Sequence, residues 1–183
     1  MQARKRLSSR IRVLLGMLGI LAVGFVLARY HYESPGATAQ NTAQTTDADV
    51  ILTIDNRGNS DYLVLEVEGA DGVAELNTPD PTWTLTIGTR YRIINKGRRN
   101  IHPFELIDQP ASGRASDDGI LLSQKARVKG RFEDDPAVAW VEDDEGVTFT
   151  LTPELAQALK GYRCGVHTRS MRGDIEVIEG PGG

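Results

Sequence analysis

Trp83-Thr84-Leu85-Thr86-Ile87 alternates apolar and polar side chains, Gly88 breaks the run, and Tyr91-Arg92-Ile93-Ile94 follows before the turn residues Asn95-Lys96-Gly97. A period of two puts Trp83, Leu85 and Ile87 on one face of a strand. The same pattern recurs outward on both sides. Upstream lie Val50-Ile51-Leu52-Thr53-Ile54, the turn Asn56-Arg57-Gly58-Asn59, and Tyr62-Leu63-Val64-Leu65-Glu66-Val67. Downstream lie Phe104–Ile107, Ile120–Leu122, Ala139–Val141, Val147–Leu151 and Ile175–Ile178. Many short strands separated by turn residues predict an all-β sandwich or barrel. One short helix interrupts them. Thr152 suits its N-cap, Pro153 its first position and Gly161 the residue past its end, with Leu151, Leu155 and Leu159 on one face.

Before this domain the sequence changes character. Arg4, Lys5, Arg6, Arg10 and Arg12 precede Val13–Ala28, sixteen residues without a charge. That order is the one of a secretory signal or a membrane anchor, with the N-terminus inside and the remainder exported. Ala37-Thr38-Ala39 offers a cleavage site but stands far from the apolar run, so the reading favours an uncleaved single-pass anchor. If the segment is cleaved, the protein is periplasmic or secreted. Residues 1–30 are therefore assigned to the signal or anchor, 31–48 to an Ala/Thr/Gln-rich flexible linker, 49–179 to the domain and 180–183 to a tail.

The net charge of −4 conceals an asymmetry: once the six cations of residues 1–29 are set aside, 15 Lys and Arg face 25 Asp and Glu. An acidic body of this kind argues against a nucleic-acid partner. A single cysteine, Cys164, excludes an intrachain disulfide.

The chemistry concentrates in Tyr162-Arg163-Cys164-Gly165-Val166-His167-Thr168-Arg169-Ser170-Met171-Arg172-Gly173. A thiolate, an imidazole and a thioether on one loop suit copper in both oxidation states. Of the other two histidines, His31 lies beside the N-terminal apolar segment, whereas His102 follows the strand ending at Ile94. His102 can complete a trigonal plane with Cys164 and His167, leaving Met171 as the weak axial ligand. Cys/His sets also bind zinc; the thioether favours copper.

The closing Tyr-x-Cys-x-x-His-x-x-x-Met-x-Gly loop, with His102 upstream, resembles the cupredoxin family of blue copper proteins over about 130 residues. The resemblance implies an eight-stranded Greek-key sandwich, one type 1 copper, and single-electron transfer to redox protein partners by a monomeric soluble domain. It implies ring nitrogens from His102 and His167, the thiolate of Cys164 and the axial sulfur of Met171. Two positions depart from the family pattern. Met171 follows His167 at an unusual spacing, and Pro103 stands where relatives usually carry Asn.

Each residue alone has a plainer reading: a buried cysteine, a structural histidine, a methionine filling the core. The acidic runs Asp134-Asp135 and Glu142-Asp143-Asp144-Glu145 read as solvated loops, and Arg98, Arg99, Arg169 and Arg172 as a cationic rim or as counter-charges to them. Three histidines are too few for the extra centres of a copper enzyme, so the classes that compete with a carrier are a copper storage or delivery protein and a metal-free interaction domain. Pro103 has no N–H to donate to the cysteine sulfur. Fewer donors favour Cu(II), so Pro103→Asn is expected to raise the reduction potential; a redox titration giving an unchanged or lower value would refute this.

Overall fold

The computed structural model describes residues 47–180. The expected signal or anchor, most of the linker, and residues 181–183 of the tail lie outside the described residues. Among those described, no helix is long and apolar enough to cross a membrane.

Among the described residues ten strands and one helix occur, in the order β1 (Val50–Arg57), β2 (Asp61–Glu68), β3 (Trp83–Thr86), β4 (Arg90–Asn95), β5 (Phe104–Ile107), β6 (Ile120–Ser123), β7 (Val141–Glu142), β8 (Gly146–Thr150), α1 (Pro153–Ala158), β9 (Gly161–Cys164) and β10 (Arg172–Ile178). They build two five-stranded sheets, ordered β2-β1-β4-β8-β7 and β3-β10-β9-β5-β6. The described residues form an all-β, two-sheet sandwich with one six-residue helix. The eight strands implied by the family resemblance are replaced by ten. The strand without a counterpart among the alternating runs is β9, whose sequence Gly-Tyr-Arg-Cys is too short and too charged to show a two-residue period, yet all four residues are buried. Ala139–Val141 is not a strand as expected: Ala139 takes a positive φ of 47°, which breaks an extended run, and only Val141–Glu142 pairs.

Strand alternation delivers the core. Leu52 and Ile54 of β1, Tyr62 and Val64 of β2, Trp83 and Leu85 of β3, Ile93 of β4 and Phe149 of β8 are buried and belong to one cluster. Trp83 stacks on Tyr162 with ring centroids 4.3 Å apart and on Phe104 at 5.5 Å, so aromatic side chains from three strands fill the middle. Gly173 is required by this packing: a Cβ there would come within 2.3 Å of the Tyr162 ring. The helix is capped as its sequence predicts. Thr152 Oγ1 accepts from the Leu155 N–H at 3.2 Å, Pro153 occupies the first turn, and Leu151, Leu155 and Leu159 are buried. Gly161 instead opens β9.

Asp80, just before β3, is tied to β2, accepting the Tyr62 N–H at 2.8 Å and donating its own N–H to the Tyr62 carbonyl at 2.8 Å. Burial pushes its pKa up to about 6, against the opposing N–H donors of Tyr62 and Arg172. The folded chain therefore holds a proton that the unfolded chain, with a carboxyl near ~3.9, releases first. The stability from this group is complete below about pH 4 and is lost as pH rises through about 6. Comparing urea midpoints at pH 4 and pH 7, we expect Asp80→Asn to remove part of the decline seen in the parent; parallel changes in both chains would show that Asp80 carries no such linkage.

Candidate metal centre

Backbone pairing assembles the centre before any side chain is considered. β5 runs antiparallel to β9, with Phe104 opposite Cys164. The residues preceding Phe104 therefore sit beside those following Cys164, and the Gly165 N–H donates to the Pro103 carbonyl at 2.8 Å. Lys125 Nζ donates to the Gly165 carbonyl at 2.6 Å.

His102 leaves a tight turn after β4. The Ile101 and His102 N–H groups both donate to the Arg98 carbonyl at 2.9 Å, and Arg98 takes a positive φ of 65° to allow it. Gly97 has no room for a side chain, since a Cβ would lie 2.8 Å from Asn56 Oδ1 and 3.1 Å from Asn95 Oδ1. The His102 carbonyl accepts from the Tyr62 hydroxyl and from Asn95 Nδ2, each at 2.8 Å. Asn95 Nδ2 also donates to Gln124 Oε1, which accepts the Phe104 N–H at 3.2 Å. The His102 carbonyl is thus held by groups from β2 and β4, and Gln124, after β6, braces Asn95. Burial raises the Tyr62 phenol well above its ordinary pKa, and the adjacent Cys164 adds to the shift, so the hydroxyl remains a donor.

Cys164 ends β9 and His167 lies on the following turn. Cys164 N–H donates to the Met171 carbonyl at 2.9 Å, and Met171 N–H to the His167 carbonyl at 3.1 Å, folding 164–171 into a closed loop. The Cys164 sulfur accepts two N–H groups, from Val166 and His167, both at 3.4 Å. The lack of an N–H at Pro103 therefore does not leave this sulfur without donors.

Three atoms converge. His102 Nδ1 lies 3.2 Å from His167 Nδ1, and Cys164 Sγ lies 3.8 Å and 3.6 Å from the two nitrogens. A metal at the centre of a trigonal plane, ~2.0 Å from nitrogen and ~2.3 Å from sulfur, would space the nitrogens by about 3.5 Å and each nitrogen from the sulfur by about 3.7 Å. The observed triangle matches a single-ion site to within a few tenths of an ångström. Burial, and then the His167 ring, lowers the His102 pKa, which keeps a neutral ring with a lone pair to donate. Met171 is fully buried on the same loop. Arg99 pairs with Glu142 at 3.1 Å and Asp144 at 3.6 Å, so it balances acidic charge. Arg172 is not part of an exposed rim: it is buried against Asp118.

Sequence reading passed over Tyr62, Asn95, Lys125 and Asp118. Tyr62, Lys125 and Asp118 act through contacts far apart in sequence that no local spacing encodes, and Asn95 through a side-chain bond across the turn to His102. A signal did exist at Glu105, a charged residue inside the short apolar run Phe104–Ile107, where a buried partner is required; Arg163 supplies it from β9.

No protein-family profile matches the chain, and no curated protein does. Among solved structures it is similar to crystallised variants of rusticyanin, with 15% identity over 70% of this chain and 76% of that one, at a TM-score of 0.37.

The doubly bonded His102 carbonyl generates a measurable expectation. Tyr62→Phe deletes one of its two donors while keeping the ring, and should cost about 1 kcal/mol in urea unfolding with an unchanged m value; a variant as stable as the parent would show that this hydroxyl does not hold the His102 turn.

Proposed function

We propose that this protein carries single electrons through one type 1 copper held by His102, His167 and Cys164, with Met171 as the axial ligand. The observation that carries the reading is the convergence of two imidazole nitrogens and one cysteine sulfur at 3.2 to 3.8 Å, in a set drawn from two loops. Thiolate, imidazole and thioether together are the donors that copper accepts in both oxidation states. Copper bound there supplies a one-electron couple. The protein's own part is to keep the ligands still. Backbone bonds fix the His102 carbonyl, the Cys164 amide and the Gly165 amide, and two N–H groups temper charge on the sulfur.

His102 and Cys164 are buried, whereas His167 is partly exposed, and Ile101 and Val166, the residues preceding the two histidines, are 47% and 52% exposed. The His167 edge is the face we assign to redox protein partners. On the reading of residues 1–30, the domain works outside the cytoplasmic membrane, tethered by its N-terminal segment. It acts as an electron carrier and not an enzyme.

Adding Cu(II) to the chain should produce an intense visible thiolate-to-copper band with one copper per chain. Cys164→Ala should abolish it and Met171→Leu should retain it with a shifted potential. A colourless chain with no copper uptake would refute the proposal, and a chain holding only Cu(I) would point to storage or delivery.

A further inference from the structure

Behind the candidate ligands lies a second cluster that takes no part in the metal set. Arg163 immediately precedes Cys164, Arg172 immediately follows Met171, and the two stand directly opposite each other across the β9–β10 pair. Two guanidinium groups side by side in a sheet repel each other. Here both are buried, with side chains 10% and 5% exposed.

One carboxylate resolves the conflict. The side chain of Asp118, on the loop between β5 and β6, is completely enclosed and takes both arginines. Its Oδ1 accepts from Arg172 Nη2 at 3.0 Å, and its Oδ2 accepts from Arg172 Nη1 at 3.1 Å and from Arg163 Nη1. Each arginine has further tasks. Arg163 Nε donates to Glu105 Oε2 at 2.8 Å, and Glu105 also accepts from Ser123 Oγ at 2.9 Å. Arg172 Nη1 donates to the Thr168 carbonyl at 3.2 Å, inside the ligand loop, and Nη2 to the Pro110 carbonyl at 2.8 Å. Glu105, Arg163, Arg172 and Asp118 thus form a buried group of zero net charge. It reaches the loop at both ends and, through Thr168, between His167 and Met171.

We propose that Asp118 is a positioning residue that clamps the two ends of the 164–171 loop, and so fixes Cys164 relative to Met171. The inference rests on the proposed copper function for its consequence, though the clamp itself belongs to the metal-free chain. Breaking a buried ion pair by removing one partner leaves uncompensated charge, whereas removing both partners together is often tolerated. Asp118→Asn leaves Arg163 and Arg172 facing each other, and Arg172 then has less reason to stay on Thr168.

The test compares Asp118→Asn with the double variant Asp118→Leu/Arg172→Met, which removes the bridge without stranding a charge and keeps the question open if the single variant fails to fold. Amide exchange of the metal-free full chain is read at Cys164, whose N–H bonds Met171, and at Ile93 of the other sheet. The clamp predicts at least tenfold faster exchange at Cys164 with Ile93 unchanged in each folded variant. In the copper-loaded chain it predicts at least tenfold faster copper loss to a chelator and an altered visible spectrum. A merely structural role would accelerate both amides alike. Equal acceleration, or folded variants with unchanged Cys164 exchange, would overturn the proposal. A parent chain that takes up no copper would overturn the function and leave the exchange experiment to decide the clamp.

Discussion

The register of β5 against β9 is the constraint on which the candidate centre depends. Phe104 opposite Cys164 places His102, two residues before one strand, beside the sulfur at the end of the other. Side chains alternate along a strand, so a slip of one residue would turn Cys164 to the opposite face of its sheet. The register is held from both faces. Toward the core, Phe104, Tyr162 and Trp83 stack together. On the other face, Glu105 meets Arg163 in the same pairing. A slip would have to bury the charges in the aromatic cluster and expose the rings.

That two-sided demand explains what was legible in the sequence. The alternation of Trp83–Ile87 and the Thr152-Pro153 helix start are local signals, and each produced the expected element or part of it; the turn expected at Asn56–Asn59 begins only at Gly58, because Asn56 and Arg57 pair in β1 with Tyr62 and Asp61. The grouping of His102, Cys164 and His167 was legible because the residue types are rare here and fall on strand ends. β9 was not. Its Tyr162 faces the aromatic core and Arg163 a buried carboxylate, so all four positions are enclosed and no alternation is visible from composition. Asp118 was equally hidden, because its meaning comes from two arginines 45 and 54 residues away.

The polar atoms around the centre follow one economy. A buried carbonyl or carboxylate without a partner costs about 1–3 kcal/mol, so each must be answered from somewhere in the fold. The His102 carbonyl is answered by β2 and β4, Glu105 by β9 and the residue ending β6, and Asp118 by β9 and β10. Apart from the Asn95 bond, which spans a single turn, each answer crosses between elements that are distant in sequence. Satisfying these groups therefore removes freedom from the two loops that carry the candidate ligands.

Rigidity of this kind bears on the difference between a carrier and a delivery protein. A carrier gains from ligands that keep one arrangement in both oxidation states, because movement on electron exchange slows it; a delivery site gains from a ligand that can swing away. In this chain the backbone on either side of Cys164 is bonded, through Met171 on one side and Pro103 on the other. The His102 turn is bonded at its amide and its carbonyl. His167 has the greatest solvent contact of the three converging residues, yet its own N–H is committed to the Cys164 sulfur and its carbonyl to Ser170 and Met171. With all three backbones committed, only rotation of a side chain is left to move a candidate ligand, and that limited freedom is what the proposed carrier requires.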